Sequence, residues 1–340
     1  MRIMIVAPPW LPVPPPAYGG TEAVLDGLAR GLHAAGHDVL LFTTGESTCP
    51  VERRWVFERA IGVGEGGAAQ ELRHVVHAYE IASEFDVVHD HTLIGPLYSE
   101  RFPNLRVVTT NHGPFESDLI DLYRIVSDRV PVIAISRHQA SGADDVPIAA
   151  IIHHGVEASE FPVGDGSGGY ALFLGRMNPG KGAHVAAHVA REAGIELHIA
   201  GKCHEQLEID YFESTIRPLL SSGVDYLGEV DDKAKLELLG AAKVLLNPIS
   251  WPEPFGMVMI EALACGTPVI TTPCGAAPEI VDDGVTGFVR AGEPALVDAL
   301  SRIEEIDRRR CRDAVLGHFS RRRMVDEHVD LYRRVVSGEW

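Results

Sequence analysis

Short runs of β-branched and apolar residues recur along this chain, and a stretch with helical spacing separates each from the next. R-I-M-I-V-A opens the series as a buried strand, and a proline-rich loop leads from it to G-G-T-E-A-V-L-D-G-L-A-R-G-L-H-A-A-G-H. There Val24, Leu25, Leu28 and Leu32 share one helical face, and Gly36 closes the helix. D-V-L-L-F-T-T reads as the second strand, followed by F-D-V-V-H (85–89), L-R-V-V-T-T (105–110) and V-P-V-I-A-I (130–135). Residues 157–169, E-A-S-E-F-P-V-G-D-G-S-G-G, break the pattern and read as an interdomain linker. The alternation then restarts with runs at 170–175, 196–201, 224–230, 243–248 and 268–272. Repeated βαβ units build doubly wound parallel sheets, so the expected fold is α/β with two Rossmann-like domains. Such sheets bind ligands at the carboxyl ends of their strands, and two of them facing across a cleft place the chemistry between them.

The length of 340 residues suits two domains. The expected division is 1–157, with a return of the C-terminal helix over about 317–340, and 158–316. A formal net charge of −18 argues against nucleic acid as a partner, since that is held by clustered cations. Residues 308–334 depart from the trend with nine arginines against four acids, either a solvated face or a patch for an anionic surface or acidic acceptor. Five cysteines without a C-x-x-C pair suit a reducing cytoplasm, the expected location. No run approaches the roughly 20 apolar residues that span a bilayer.

In W-P-E-P-F-G-M-V-M-I-E-A-L-A-C-G-T-P-V-I (251–270), the segment from Phe255 to Cys265 is apolar on every side except for Glu261. A carboxylate there needs a partner, either an internal cation or a bound molecule. Glu253, among prolines, belongs to the loop that feeds this helix. Gly19 and Gly20 stand at the mouth of the first helix, either as a simple tight turn or as a backbone approach to an anion. L-G-R-M-N-P-G-K-G holds the corresponding position in the second half, with Arg176 and Lys181 able to converge on one phosphate. H-D-H (89–91) and H-H (153–154) lack further ligands at metal-site spacing, and no D-x-D pair exists to hold a divalent ion on a diphosphate. G-V-G-E-G-G (62–67) has the spacing of a dinucleotide fingerprint, but a charged segment precedes it and Glu65 would oppose a pyrophosphate.

Taken together, G-G-T-E, T-N-H-G-P-F, A-I-S-R-H, L-G-R-M-N-P-G-K-G, Y-L-G-E-V-D-D and E-P-F-G-M-V-M-I-E-A-L-A-C-G-T-P-V-I resemble the retaining glycosyltransferases of family 4, which have the GT-B fold. The resemblance implies a hexosyltransferase-like enzyme moving a sugar from a nucleoside diphosphate, UDP first and GDP second, to a hydroxyl of a small molecule, glycolipid or glycan. It implies retention at the anomeric carbon and no metal or other cofactor. By the same resemblance, Glu261 binds the ribose and Glu253 the transferred sugar. Arg176 and Lys181 stabilise the departing diphosphate, with Gly20 under the phosphates and His112 beside the donor sugar. Backbone groups of Phe255, Gly256, Met257 and Val258 face sugar and phosphate, and Val230, Asp232 and Lys235 lie by the base. Gly19, His91 and Ser136 line the acceptor side. The partners implied are the donor and the acceptor, with membrane association through the C-terminal arginines a further option and the oligomeric state open. The alternatives are a non-catalytic nucleotide-sugar binder on the same fold and an NAD-dependent oxidoreductase using residues 62–67.

Overall fold

The structure is a computed structural model and describes residues 1–17, 19–62, 67–221 and 223–340. The chain divides into two units, Met1–Gly155 with Arg321–Trp340, and Val156–Ser320. The fingerprint-like stretch at 62–67, on which the oxidoreductase alternative depends, lies outside the described residues except for Gly62 and Gly67.

The first unit holds a parallel sheet of β1 (Arg2–Val6), β2 (Asp38–Thr43), β3 (Glu52–Trp55), β4 (Val87–Asp90), β5 (Val107–Thr110), β6 (Val132–Ala134) and β7 (Ile148–Ile151), in the order β3-β2-β1-β4-β5-β6-β7. Ile3, Met4, Ile5 and Val6 of the central β1 are fully buried, as helices on both faces of a parallel sheet require. Helix Gly20–Ala34 buries Val24, Leu25, Leu28 and Leu32, the face expected from its spacing. Against it packs helix Arg321–Ser337 from the far end of the chain, with Val325 where a side chain on Gly31 would stand.

The second unit repeats the plan with β8 (Ala171–Leu174), β9 (Leu197–Ala200), β10 (Val224–Gly228), β11 (Val244–Asn247), β12 (Val269–Thr271) and β13 (Gly287–Val289), all parallel, in the order β10-β9-β8-β11-β12-β13. Both sheets therefore have the doubly wound order of Rossmann-like domains.

The supposed linker is part of the second unit. The amides of Gly164, Gly166 and Gly168 donate to the carbonyls of Cys265, Gly240 and Ala241. A Cβ on Gly164 would lie 1.9 Å from the Gly240 carbonyl oxygen, so its glycines serve close packing and not mobility. The arginine-rich stretch is likewise no uniform patch. Arg308 donates to the carbonyls of Gly164, Ala242 and Gly240, and Arg312 to those of Phe161 and Ala264. Arg323 holds the carbonyls of His153 and His154 in the first unit. No helix among the described residues is long and apolar enough to cross a membrane.

Candidate functional site

In the second unit, β8 and β11 are neighbours at the point where the strand order reverses, the place where open α/β sheets hold ligands outside the carboxyl strand ends. The loop after β8 turns through Pro179–Lys181, with Asn178 Oδ1 accepting from the Gly180 amide at 2.8 Å. That turn sends Lys181 inward. Its Nζ donates to Glu253 Oε1 at 2.5 Å and stands 5.2 Å from the centre of a Trp251 ring. Lys181 and Glu253 are each only 9% exposed. Glu253 belongs to the loop after β11, and its own backbone is gripped from across the sheet. Ala276 donates its amide to the Glu253 carbonyl, while Gly275 lies so close that a Cβ would come within 2.4 Å of that oxygen. Gly275 also has φ of +60°, so a glycine is needed for both reasons. The second carboxylate oxygen of Glu253 is buried with no hydrogen-bond partner among the described residues. Arg176 faces a different acid: its Nη1 is 3.9 Å from Glu208 Oε1. In this structure Arg176 and Lys181 thus each lie beside a separate carboxylate.

Gly256 caps helix Met257–Ala264 with φ of +106°; Phe255 before it is buried, and Met257 and Val258 in its first turn are half-buried. Glu261 projects from this helix to Lys235, whose Nζ donates to Glu261 Oε1 and Asp232 Oδ1, at 3.0 Å each. Burial works against the Lys235 charge, but Glu261 and Asp232 overcome it and hold the ammonium above its ordinary pKa. The charge of Glu261 is therefore met inside the chain by a lysine, the first of the two partners that the sequence left open. Asp232 and Lys235 share helix Asp232–Ala241, which Asp231 caps, and Val230 precedes it.

The first unit gathers histidines at the ends of its strands. His112, after β5, has Nε2 2.9 Å from His91 Nδ1, and its ring stacks on His154 at 5.4 Å between centroids. His89 is fully buried between the Tyr332 hydroxyl, 2.6 Å from Nδ1, and Thr110 Oγ1, 2.8 Å from Nε2. His328 bonds the Met324 carbonyl through Nδ1. Burial lowers the pKa of His112 and of His328 to about 4, and those of His89, His91 and His154 well below the usual range. Asp90 between the histidines accepts from the Thr92 amide, the Thr92 hydroxyl and the Tyr79 hydroxyl, and burial still raises it to about 7.

The backbone around His112 is held by Gln139. Its Nε2 donates to the carbonyls of Asn111 at 2.9 Å and Gly113 at 2.5 Å, and its Oε1 accepts from the Ile135 amide at 2.7 Å. Ser136 is wholly buried as the cap of helix Arg137–Ser141, its hydroxyl accepting from the Gln139 amide. Gly20 begins its helix at the chain end of the β1 loop, and Gly19 lies against Pro15, where a Cβ would come within 2.6 Å. Sequence reading missed Gln139, Trp251, Glu208 and His328. For Gln139 a signal exists in S-R-H-Q, the spacing of a helix-start capping box. Among the described residues, the only trio with metal-ligand spacing is Glu196, His198 and Asp225, whose ligand atoms lie within 4.8 Å of one another; neither H-D-H nor H-H contributes.

Comparison with known proteins bears on both units. The family model described as glycosyltransferase family 4 matches residues 18–160, and that described as glycosyl transferases group 1 matches 161–315. A phosphatidyl-myo-inositol mannosyltransferase of Mycobacterium tuberculosis is 27% identical over 363 aligned positions, covering 95% of this chain and 93% of the relative. Among solved structures, AviGT4, a glycosyltransferase involved in avilamycin A biosynthesis, superposes with a TM-score of 0.77 at 25% identity, covering 99% of this chain and 98% of its own. Sucrose-phosphate synthase from Thermosynechococcus elongatus reaches 0.80 at 21% identity, covering 99% of each chain.

Proposed function

Because this chain belongs to the family 4 glycosyltransferases and has their two Rossmann-like domains, we propose that it is a retaining, metal-independent enzyme using a nucleoside diphosphate hexose. The observation that carries this reading is the Lys181–Glu253 pair. Two charges from loops 72 residues apart meet in a nearly buried place beside the strand-order reversal. Such a pair contributes little net stability, because desolvation offsets the attraction. Its location favours a ligand-handling role.

The chemistry follows from where charge develops. As the anomeric bond breaks, the diphosphate gains negative charge and the sugar becomes oxocarbenium-like, so cations placed beforehand favour that moment over the ground state. Lys181 and Arg176 supply them, and Lys181 can turn toward phosphate because Trp251 and Glu253 hold it by one aromatic face and one oxygen. Glu253, with its second oxygen unpartnered among the described residues, accepts from hydroxyls of the transferred sugar. Glu261 shares its carboxylate between Lys235 and the ribose. His112 acts beside the donor sugar. A donor phosphate oxygen takes the acceptor proton, which fits the absence of an evident covalent nucleophile in the sequence. The mannosyltransferase relative acts on phosphatidylinositol, so a lipid-linked hydroxyl is a suitable acceptor class to test first.

Thermal denaturation with UDP, GDP and NAD in EDTA tests the reading. A ligand at 100 times its dissociation constant adds about 2.7 kcal/mol. Stabilisation by UDP or GDP, and turnover of the matching sugar nucleotide with α-configuration kept, are the expected results. Stabilisation by NAD alone, or activity that chelator abolishes and manganese restores, would refute it.

A further inference from the structure

His91 and His112 follow β4 and β5, neighbouring strands of the first unit, and meet through His91 Nδ1 and His112 Nε2 at 2.9 Å. A hydrogen bond between two neutral imidazoles contains one hydrogen, so the tautomer of one ring fixes that of the other. Burial keeps both rings neutral, as it lowers each below the ordinary imidazole range. Two arrangements are open. In the first, His91 donates from Nδ1 and His112 keeps its own hydrogen on Nδ1. In the second, His112 donates from Nε2, and the hydrogen of His91 sits on Nε2.

The surroundings of His91 Nε2 separate the two. The side chain belongs to a residue only 7% exposed, and this atom is buried with no hydrogen-bond partner among the described residues. The His89 ring stands 3.9 Å away between centroids, but Tyr332 and Thr110 already engage both of its nitrogens. A buried N–H without an acceptor is a rarer and costlier defect than a bare acceptor atom. The hydrogen of His91 therefore belongs on Nδ1. We propose that His91 is a positioning residue that locks His112 in the Nδ1–H tautomer, so that His112 offers the sugar donor a hydrogen-bond donor and not a base. The inference rests on the reading of His112 as the active-site histidine. It deepens that reading, since a histidine so locked can hold a hydroxyl or phosphate oxygen but cannot remove the acceptor proton.

The tautomer is read directly from long-range proton–nitrogen spectra of the full chain labelled with ¹⁵N-histidine, the His112 signals being assigned by their loss in His112→Asn. Pyrrole-type nitrogen at Nδ1 and pyridine-type at Nε2 are expected; the reverse overturns the proposal. In kinetics with UDP- and GDP-hexoses, His91→Phe keeps ring volume but loses the hydrogen bond, and kcat should fall about tenfold while donor KM stays within about twofold. His91→Asn, whose amide N–H can stand in for Nδ1–H, should recover most of the rate. Equal rates for His91→Phe and parent, or equal losses in the Phe and Asn variants, would overturn it. If His91→Phe does not fold, the spectra of the parent and of His91→Asn still decide. A parent that turns over no sugar nucleotide would count against the proposed function, while the tautomer spectrum judges the lock separately.

Discussion

Lys181 and Glu253 form a pair that can be dissected from both sides. Lys181→Met leaves a carboxylate buried without its partner and should destabilise the protein by about 3 kcal/mol, whereas Lys181→Met with Glu253→Gln removes both charges and should recover most of that loss. Neither variant should transfer sugar. Calorimetry with an activity assay checks this, and recovery of activity along with stability would show that the pair serves folding alone. Glu261→Ala should weaken nucleotide binding about tenfold or more, since the ribose loses a charged acceptor; titration calorimetry with UDP and GDP measures it. Glu261 stood out in the sequence because a carboxylate amid apolar neighbours needs a partner, whereas Glu253, in a loop among prolines, was singled out only by the family resemblance. Their partners were not legible there. Lys235 reaches Glu261 from 26 residues away across two helices, and only tertiary packing brings them together.

The same division holds for elements. Interior strands such as β1 and β11 declared themselves, because a strand covered on both faces must be apolar throughout. The strands that escaped were β3, β7 and β13, each at the edge of its sheet, where E-R-R-W in β3 meets solvent and needs no apolar run. Close backbone contacts were equally hidden, since a glycine in a loop does not announce whether it bends or packs. Gly275→Ala is a test at this scale: its Cβ would strike the backbone of Glu253 from a left-handed residue, so a loss of about 1–3 kcal/mol and a weaker donor site are expected from thermal denaturation and binding. The buried histidines of the first unit carry a pH signature. His112 and His328 take protons near pH 4 when folded but near 6.5 when unfolded, so as pH falls between those values the unfolded chain binds more protons and stability is lost. At pH 5.5 each withdraws on the order of 1 kcal/mol. Asp90, raised to about 7 by burial, acts in the opposite sense, but His89, His91 and His154 add to the imidazole side. Calorimetry at pH 7 and 5.5 should show a lower unfolding temperature in acid; an unchanged one would mean that the rings protonate in place.

At the scale of the whole molecule, the chain leaves the first unit after Gly155 and re-enters it at Arg321. Helix Arg321–Ser337 closes the face of helix Gly20–Ala34 and supplies the Tyr332 hydroxyl to His89. Deleting residues 321–340 should therefore loosen the first unit and leave the hydrogen bonds of the second intact, which hydrogen exchange can map peptide by peptide. Synthesis on the ribosome meets the same dependence in time. The early part of the chain emerges first but cannot finish folding until residues 156–320 have been made and the last helix has left the exit tunnel. At roughly 5–20 residues per second that delay is on the order of ten to forty seconds. For that interval an apolar helix face stands uncovered, so nascent chains are the form of this protein with most need of a chaperone.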